Sequence, residues 1–150
     1  MAGTYYDAQV VMQSNTLIAD YLNALSTRPA AALLATPTCC LYTGAPVLTP
    51  GMALSVLTAL EATFTGYAAQ ALGTLVGPVN LPNNVQGLIF NVTFLCTASP
   101  GQNITGYFIR DGGSTILYAA EAFPTPIPLA ASGDFLNLGL VFPLQTPLAV

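Results

Sequence analysis

Apolar and polar positions alternate most clearly in two stretches. Leu88, Phe90, Val92, Phe94 and Cys96 interleave with Ile89, Asn91, Thr93, Leu95 and Thr97, and Leu136, Leu138, Leu140 and Phe142 interleave with Phe135, Asn137, Gly139 and Val141. A period of two is that of a strand with one face toward a core, so Gly87–Ala98 and Phe135–Phe142 are predicted strands. Between them, Ile104–Arg110 and Thr115–Phe123 flank Asp111-Gly112-Gly113-Ser114. Asp-Gly and Gly-Gly tolerate the positive φ angles of a tight turn, which predicts a hairpin and makes it the organising unit of the chain. Thr38–Tyr42 predicts a further strand, and Glu61–Leu72 another with a bend at Gly66. Met52–Leu60 fits a short helix or a strand, since its periodicity does not choose. Gly44–Pro50 and Gly73–Gln86 read as loops, rich in breakers. Pro124, Pro126 and Pro128 read as a stiff connection, Ser132-Gly133-Asp134 as a turn and Pro143–Val150 as an extended tail.

One stretch follows a different period. Val11, Ile18, Leu22 and Leu25 recur along a stripe flanked by Leu17 and Tyr21, which predicts a helix over Thr4–Ser26. Thr4 and Asp7 have the spacing of a capping box, and Thr27-Arg28-Pro29 ends the pattern. The expected fold is therefore mainly β: an antiparallel β-sandwich, jelly-roll-like, with a short N-terminal α-helix. Residues 1–28 form a helical arm and residues 29–150 the sandwich domain. Tyr5, Tyr6, Leu17 and Tyr21 are the arm's candidate interface residues.

Composition changes the picture in one respect. Only 5% of the residues are charged, against roughly 25% in an ordinary soluble domain. Six acids and two arginines cannot make the mixed charged surface of a free monomer. Neighbouring subunits, or a cover of Thr, Asn, Gln, Ser and Ala, are the compatible alternatives to a membrane. Prolines and glycines interrupt both long uncharged stretches, which argues against a spanning helix. Met1–Leu25 has no basic residue, so it lacks the pattern of a secretory signal. A net charge of −4 leaves no basic patch for nucleic acid.

Candidate chemistry is sparse. Histidine is absent, so a nucleophilic triad and most metal sites lack a member. Cys39, Cys40 and Cys96 have no metal-ligand spacing and read as buried small apolar residues, with a bridge from Cys39 or Cys40 to Cys96 as the alternative. The scattered acids Glu61, Glu121, Asp111 and Asp134 are the remaining catalytic candidates. A glutamate pair across an open cleft would suit glycoside hydrolysis. The preferred reading is a structural ion pair of Glu61 or Glu121 with Arg110. No catalytic residue, cofactor, metal or small-molecule substrate is expected, and the chain is read as a non-enzyme.

Two motifs resemble a known group. Glu61-Ala62-Thr63-Phe64-Thr65-Gly66-Tyr67-Ala68 resembles an "EATF-x-GYA" run. Gly106-Tyr107-Phe108-Ile109 with Leu117-Tyr118-Ala119-Ala120-Glu121-Ala122-Phe123 resembles "GYFV…LLxAExF". They occur in this order in small virion structural proteins of tailed phages and environmental viruses. Leu41-Tyr42-Thr43 and Ser132-Gly133-Asp134-Phe135-Leu136 match flanking elements, so the resemblance spans roughly Asn15 to Leu144. Arg110-Asp111 departs from the small polar residue usual before that Asp. The resemblance implies a virion protein.

The functional expectation is a capsid decoration or cement protein. It would form a homotrimer, bind the major capsid protein and sit on the outer surface of the virion. The alternatives are a host-binding module of a tail or fibre and the subunit of an extracellular tube or filament.

Overall fold

A computed structural model describes residues 3–9, 37–49, 51–72, 76–80, 86–113 and 117–144. Eight described strands form two four-stranded sheets. They are β1 (Gly3–Gln9), β2 (Thr38–Tyr42), β3 (Gln70–Ala71), β4 (Val76–Asn80), β5 (Gln86–Leu95), β6 (Gln102–Arg110), β7 (Leu117–Leu129) and β8 (Phe135–Leu144). One sheet has the order β1-β8-β5-β4, the other β3-β2-β6-β7. The fold is mainly β with antiparallel sheets, as the alternation predicts, and two sheets on a shared core fit a jelly-roll-like sandwich.

The period-two residues build that core. Phe90, Val92 and Phe94 of β5 and Leu136, Leu138 and Leu140 of β8 meet Cys39, Leu41, Ile104, Tyr107, Ile109, Ala119 and Phe123 from the other sheet. Each such large apolar side chain contributes about 1.5–3 kcal/mol on burial. The intervening Asn91, Thr93 and Leu95 are exposed. Cys39, Cys40 and Cys96 are free and buried, as expected of small apolar residues.

A third layer lies outside the second sheet. Cys40, Tyr42 and Phe108 occupy the opposite face of β2 and β6 and pack with Leu57, the one buried residue of helix α1 (Leu54–Thr58). Leu48, Met52, Leu54 and Leu60 complete this smaller cluster. The undecided stretch Met52–Leu60 is thus a short helix followed by a turn.

Four expectations are corrected. The predicted helix over Thr4–Ser26 fails at its start: Gly3–Gln9 is a strand, paired in parallel with β8 over the register Gly3↔Phe135 to Gln9↔Val141. Backbone pairing with β8 sets Gly3–Gln9 as a strand, while every residue of the helical stripe lies outside the described ones. Glu61–Leu72 is not a strand except at Gln70–Ala71. Residues 62–69 form a loop that turns at Gly66, where φ is +94°. Gly73–Gln86 is not all loop, because Val76–Asn80 is an edge strand whose register shift lies at Gly77-Pro78. Pro124, Pro126 and Pro128 lie within β7, which is also an edge strand. An edge tolerates proline because one side of the ladder needs no N–H donor.

Candidate functional site

The two motifs of the sequence meet at the end of β2. Strand β3 covers only Thr38 and Cys39 of β2. Beyond it, other groups complete the ladder. Tyr42 and Glu61 form an isolated antiparallel bridge. Ala62 donates its N–H to the Leu41 carbonyl at 2.9 Å, and Thr43 donates to the Leu60 carbonyl at 2.8 Å. Leu41 N–H donates to the Tyr67 hydroxyl oxygen at 3.2 Å. That hydroxyl in turn donates to Glu61 Oε1 at 2.8 Å. The Tyr67 ring is held by stacking on Phe94, with centroids 6.0 Å apart, and by an edge contact with Phe64 at 5.4 Å. Gly66 permits the turn: a Cβ there would stand 2.7 Å from the Leu95 carbonyl oxygen. Gln102 secures the same loop, its Oε1 accepting from Thr63 N–H at 2.7 Å and Phe64 N–H at 3.1 Å.

Glu121 is held in the same manner on the hairpin. Tyr107 is its direct cross-strand neighbour and donates to Glu121 Oε2 at 2.8 Å. Tyr42 donates to the Glu121 carbonyl at 3.1 Å. The tyrosine reaches that carbonyl over Gly106, where a Cβ would lie 2.2 Å from the Glu121 carbonyl oxygen and 2.3 Å from the Tyr42 hydroxyl. Both glutamates are half-buried.

Arg110, the third residue of the expected ion pair, donates from Nε to Cys40 Sγ at 3.1 Å. The structure therefore gathers Glu61, Tyr67 and Arg110 around Cys40, the middle residue of β2, with tyrosine hydroxyls on both glutamates. Burial pushes the Cys40 thiol up to about 11, a rise that Arg110 opposes and Glu61 reinforces. Burial, then the neighbouring Cys40, raises the Cys39 thiol well above its usual range. Tyr42 is pushed up to about 12, first by burial and then by Glu121. Tyr67 is raised further, by burial, by Cys40 and by its bond to Glu61. All four groups are neutral at pH 7. A neutral thiol is a poor nucleophile.

Asp134, a buried acid, caps a turn. Its Oδ2 accepts from Ala130 N–H at 3.0 Å and Ala131 N–H at 2.9 Å. Among the described residues no group of three or more acids and cysteines could hold a metal ion, and no helix is long and apolar enough to cross a membrane.

Two surface features remain. In β7 the register slips between Ile104↔Ile127 and Gly106↔Ala122, so Phe123–Pro126 bulge opposite Thr105. The bulge opens a groove of about 220 Å³ against Tyr42, Gly44, Ala45 and Pro46. That is below the ~300–1,000 Å³ of ordinary ligand pockets. The second feature is an uncharged segment that exposes apolar side chains. Thr43–Leu60 contains no ionisable side chain. Within it Val47 is 80% exposed and Val56 44%, while Leu95 on the other sheet is 46% exposed. Pro124, Thr125, Pro126 and Pro128 of β7 are also exposed.

Of the expected interface residues, Tyr5 and Tyr6 stand on β1 at the register positions of Asn137 and Leu138. Leu17 and Tyr21 lie outside the described residues. The tyrosine–glutamate pairs were not anticipated. The hairpin alone does not give the second: counting outward from Asp111–Ser114 sets Tyr107 opposite Tyr118, whereas the observed register, shifted between Ile109 and Arg110, pairs it with Glu121. No protein-family model, curated protein or solved structure matches the chain.

Proposed function

We propose that this chain is a viral structural protein that decorates and cements a capsid through subunit–subunit contacts. The observation that carries the reading is the uncharged segment Thr43–Leu60 with its exposed Val47 and Val56. Large exposed apolar side chains without charges between them suit a protein interface, whose centre is depleted in charge. Burying such a surface avoids the desolvation cost of ions, so many copies can each add a modest contact energy.

In this reading the functional unit is a homotrimer that binds the major capsid protein on the outer surface of the virion, after synthesis in the host cytoplasm. The resemblance of the EATFTGYA and GYFI…LYAAEAF motifs to virion proteins supports it. In this chain those motifs serve the scaffold: one seals the end of β2 and the other forms the hairpin. The mechanism is adhesion and needs no reacting group.

Cryo-electron microscopy of particles from the encoding virus tests this. The expected result is density for this fold on the outer shell, at local symmetry axes, in fixed ratio to the major capsid protein. Density on the tail alone, or absence of the chain from particles, overturns the reading.

A further inference from the structure

We infer that β1 is an exchanged strand: in the assembled protein, Gly3–Gln9 of one copy lies along β8 of a second copy, in the parallel register seen here within one chain. The pairing is exceptional in the fold. Every other described pair of strands is antiparallel, and among the described strands β1 is the edge of its sheet. It also joins the first and last described strands, so no tight turn fixes it to its own domain.

The connection that follows permits exchange. The chain leaves β1 at Gln9 and next enters β2, which lies inside the other sheet. Residues 10–36 intervene. A segment of that length can reach up to about 90 Å when extended. A domain of this size is only about 40 Å across. The first strand can therefore dock on its own β8 or on a neighbour's with the same backbone hydrogen bonds.

The acceptor is specific for this strand. A Cβ at Gly3 would stand 2.0 Å from the Phe135 ring, so the ring lies directly against the glycine that starts the register. The strand GTYYDAQ has no Lys or Pro to discourage edge pairing and a single charge, Asp7. An edge whose complement is the chain's own first strand selects a second copy of that chain as partner. Reciprocal exchange closes a dimer, and stepwise exchange closes a ring. This interface shares with the capsid reading only the expectation of self-association, and its test does not involve capsids.

Cross-linking between separate chains reads the exchange directly. Tyr5 and Asn137 are register partners. One chain carries Tyr5→Cys and a second, isotopically heavy chain carries Asn137→Cys; the two are refolded together and oxidised. The expected product is a light–heavy disulfide of twice the 15.5 kDa chain mass, absent when the unaltered chains are mixed. The unaltered protein is measured in parallel by native mass spectrometry, where multiples of the chain mass are expected. Oligomers without the light–heavy disulfide overturn the inference, because association then uses another surface. Single-chain masses alone also overturn it.

Discussion

Tyr67 and Glu61 are joined by a hydroxyl-to-carboxylate bond of 2.8 Å, and through it the loop between them seals the end of β2. The same hydroxyl accepts the N–H of buried Leu41, so one oxygen satisfies a backbone group that β3 is too short to reach. Replacing Tyr67 with Phe keeps the ring on Phe94 but orphans that N–H. The expected loss of stability is about 1–3 kcal/mol, measured by urea unfolding. A loss under about 0.3 kcal/mol would mean that the hydroxyl carries none of this load.

Gly106 is the narrowest point of the hairpin. Any side chain there meets both the Glu121 carbonyl and the Tyr42 hydroxyl at under 2.5 Å. Gly106→Ala is expected to cost more than about 3 kcal/mol or to prevent folding, in the range of severe overpacking. Gly51→Ala is the control. Its Cβ meets nothing within 4 Å, and only its φ of +78° is unfavourable. That change is expected to cost about 1 kcal/mol. Equal effects in thermal unfolding would contradict the packing account.

Alkaline pH should weaken the fold in a defined window. Cys40 and Tyr42 are raised from 9.0 and 10.0 to about 11 and about 12. The native state thus holds these protons more tightly than the unfolded chain. Their contribution is complete below pH 9 and is lost as pH rises through 11 and 12. The melting temperature is expected to fall steadily from pH 9 to 12, and Tyr42→Phe should flatten the upper part of the decline. A melting temperature that is level across this range would refute the burial of these groups.

The three cysteines should behave as core residues. In native protein at pH 8, a thiol reagent such as Ellman's is expected to modify none of them within minutes, while all three react in guanidinium. Rapid reaction of even one thiol in the native state would place it at the surface.

Much of this architecture was legible in the chain, and the exceptions share a cause. Strands β5 and β8 and the hairpin of β6 with β7 were visible because one face of each is buried, which forces alternation on Phe90–Phe94 and Leu136–Leu140. The missed features depend on distant partners. Strand β4 contains Gly77 and Pro78, which look like breakers but are tolerated beside a register shift at an edge. The prolines of β7 misled for the same reason. Ala62–Ala69 has strand-forming residues but is held as a loop by Gln102 and by Tyr67. Strand β1 exists only through β8, more than a hundred residues away, and no local period announces it. The tyrosine partners of Glu61 and Glu121 were hidden behind the more familiar pairing of carboxylate with arginine.

The exposed apolar surface carries the functional reading, and charge should abolish its role without harming the fold. Val47→Asp with Val56→Asp is expected to leave the free energy of unfolding within about 0.5 kcal/mol, as for exposed positions. Self-association or capsid binding should weaken at least tenfold. Unchanged binding would move the interface elsewhere.

On the proposed function, a chain with so few ions is shaped for contact with other protein. Sedimentation equilibrium of the purified chain, from micromolar to near-millimolar concentration, tests it most directly. A stable oligomer of three chains is the predicted result. A single-chain mass at every concentration would contradict it.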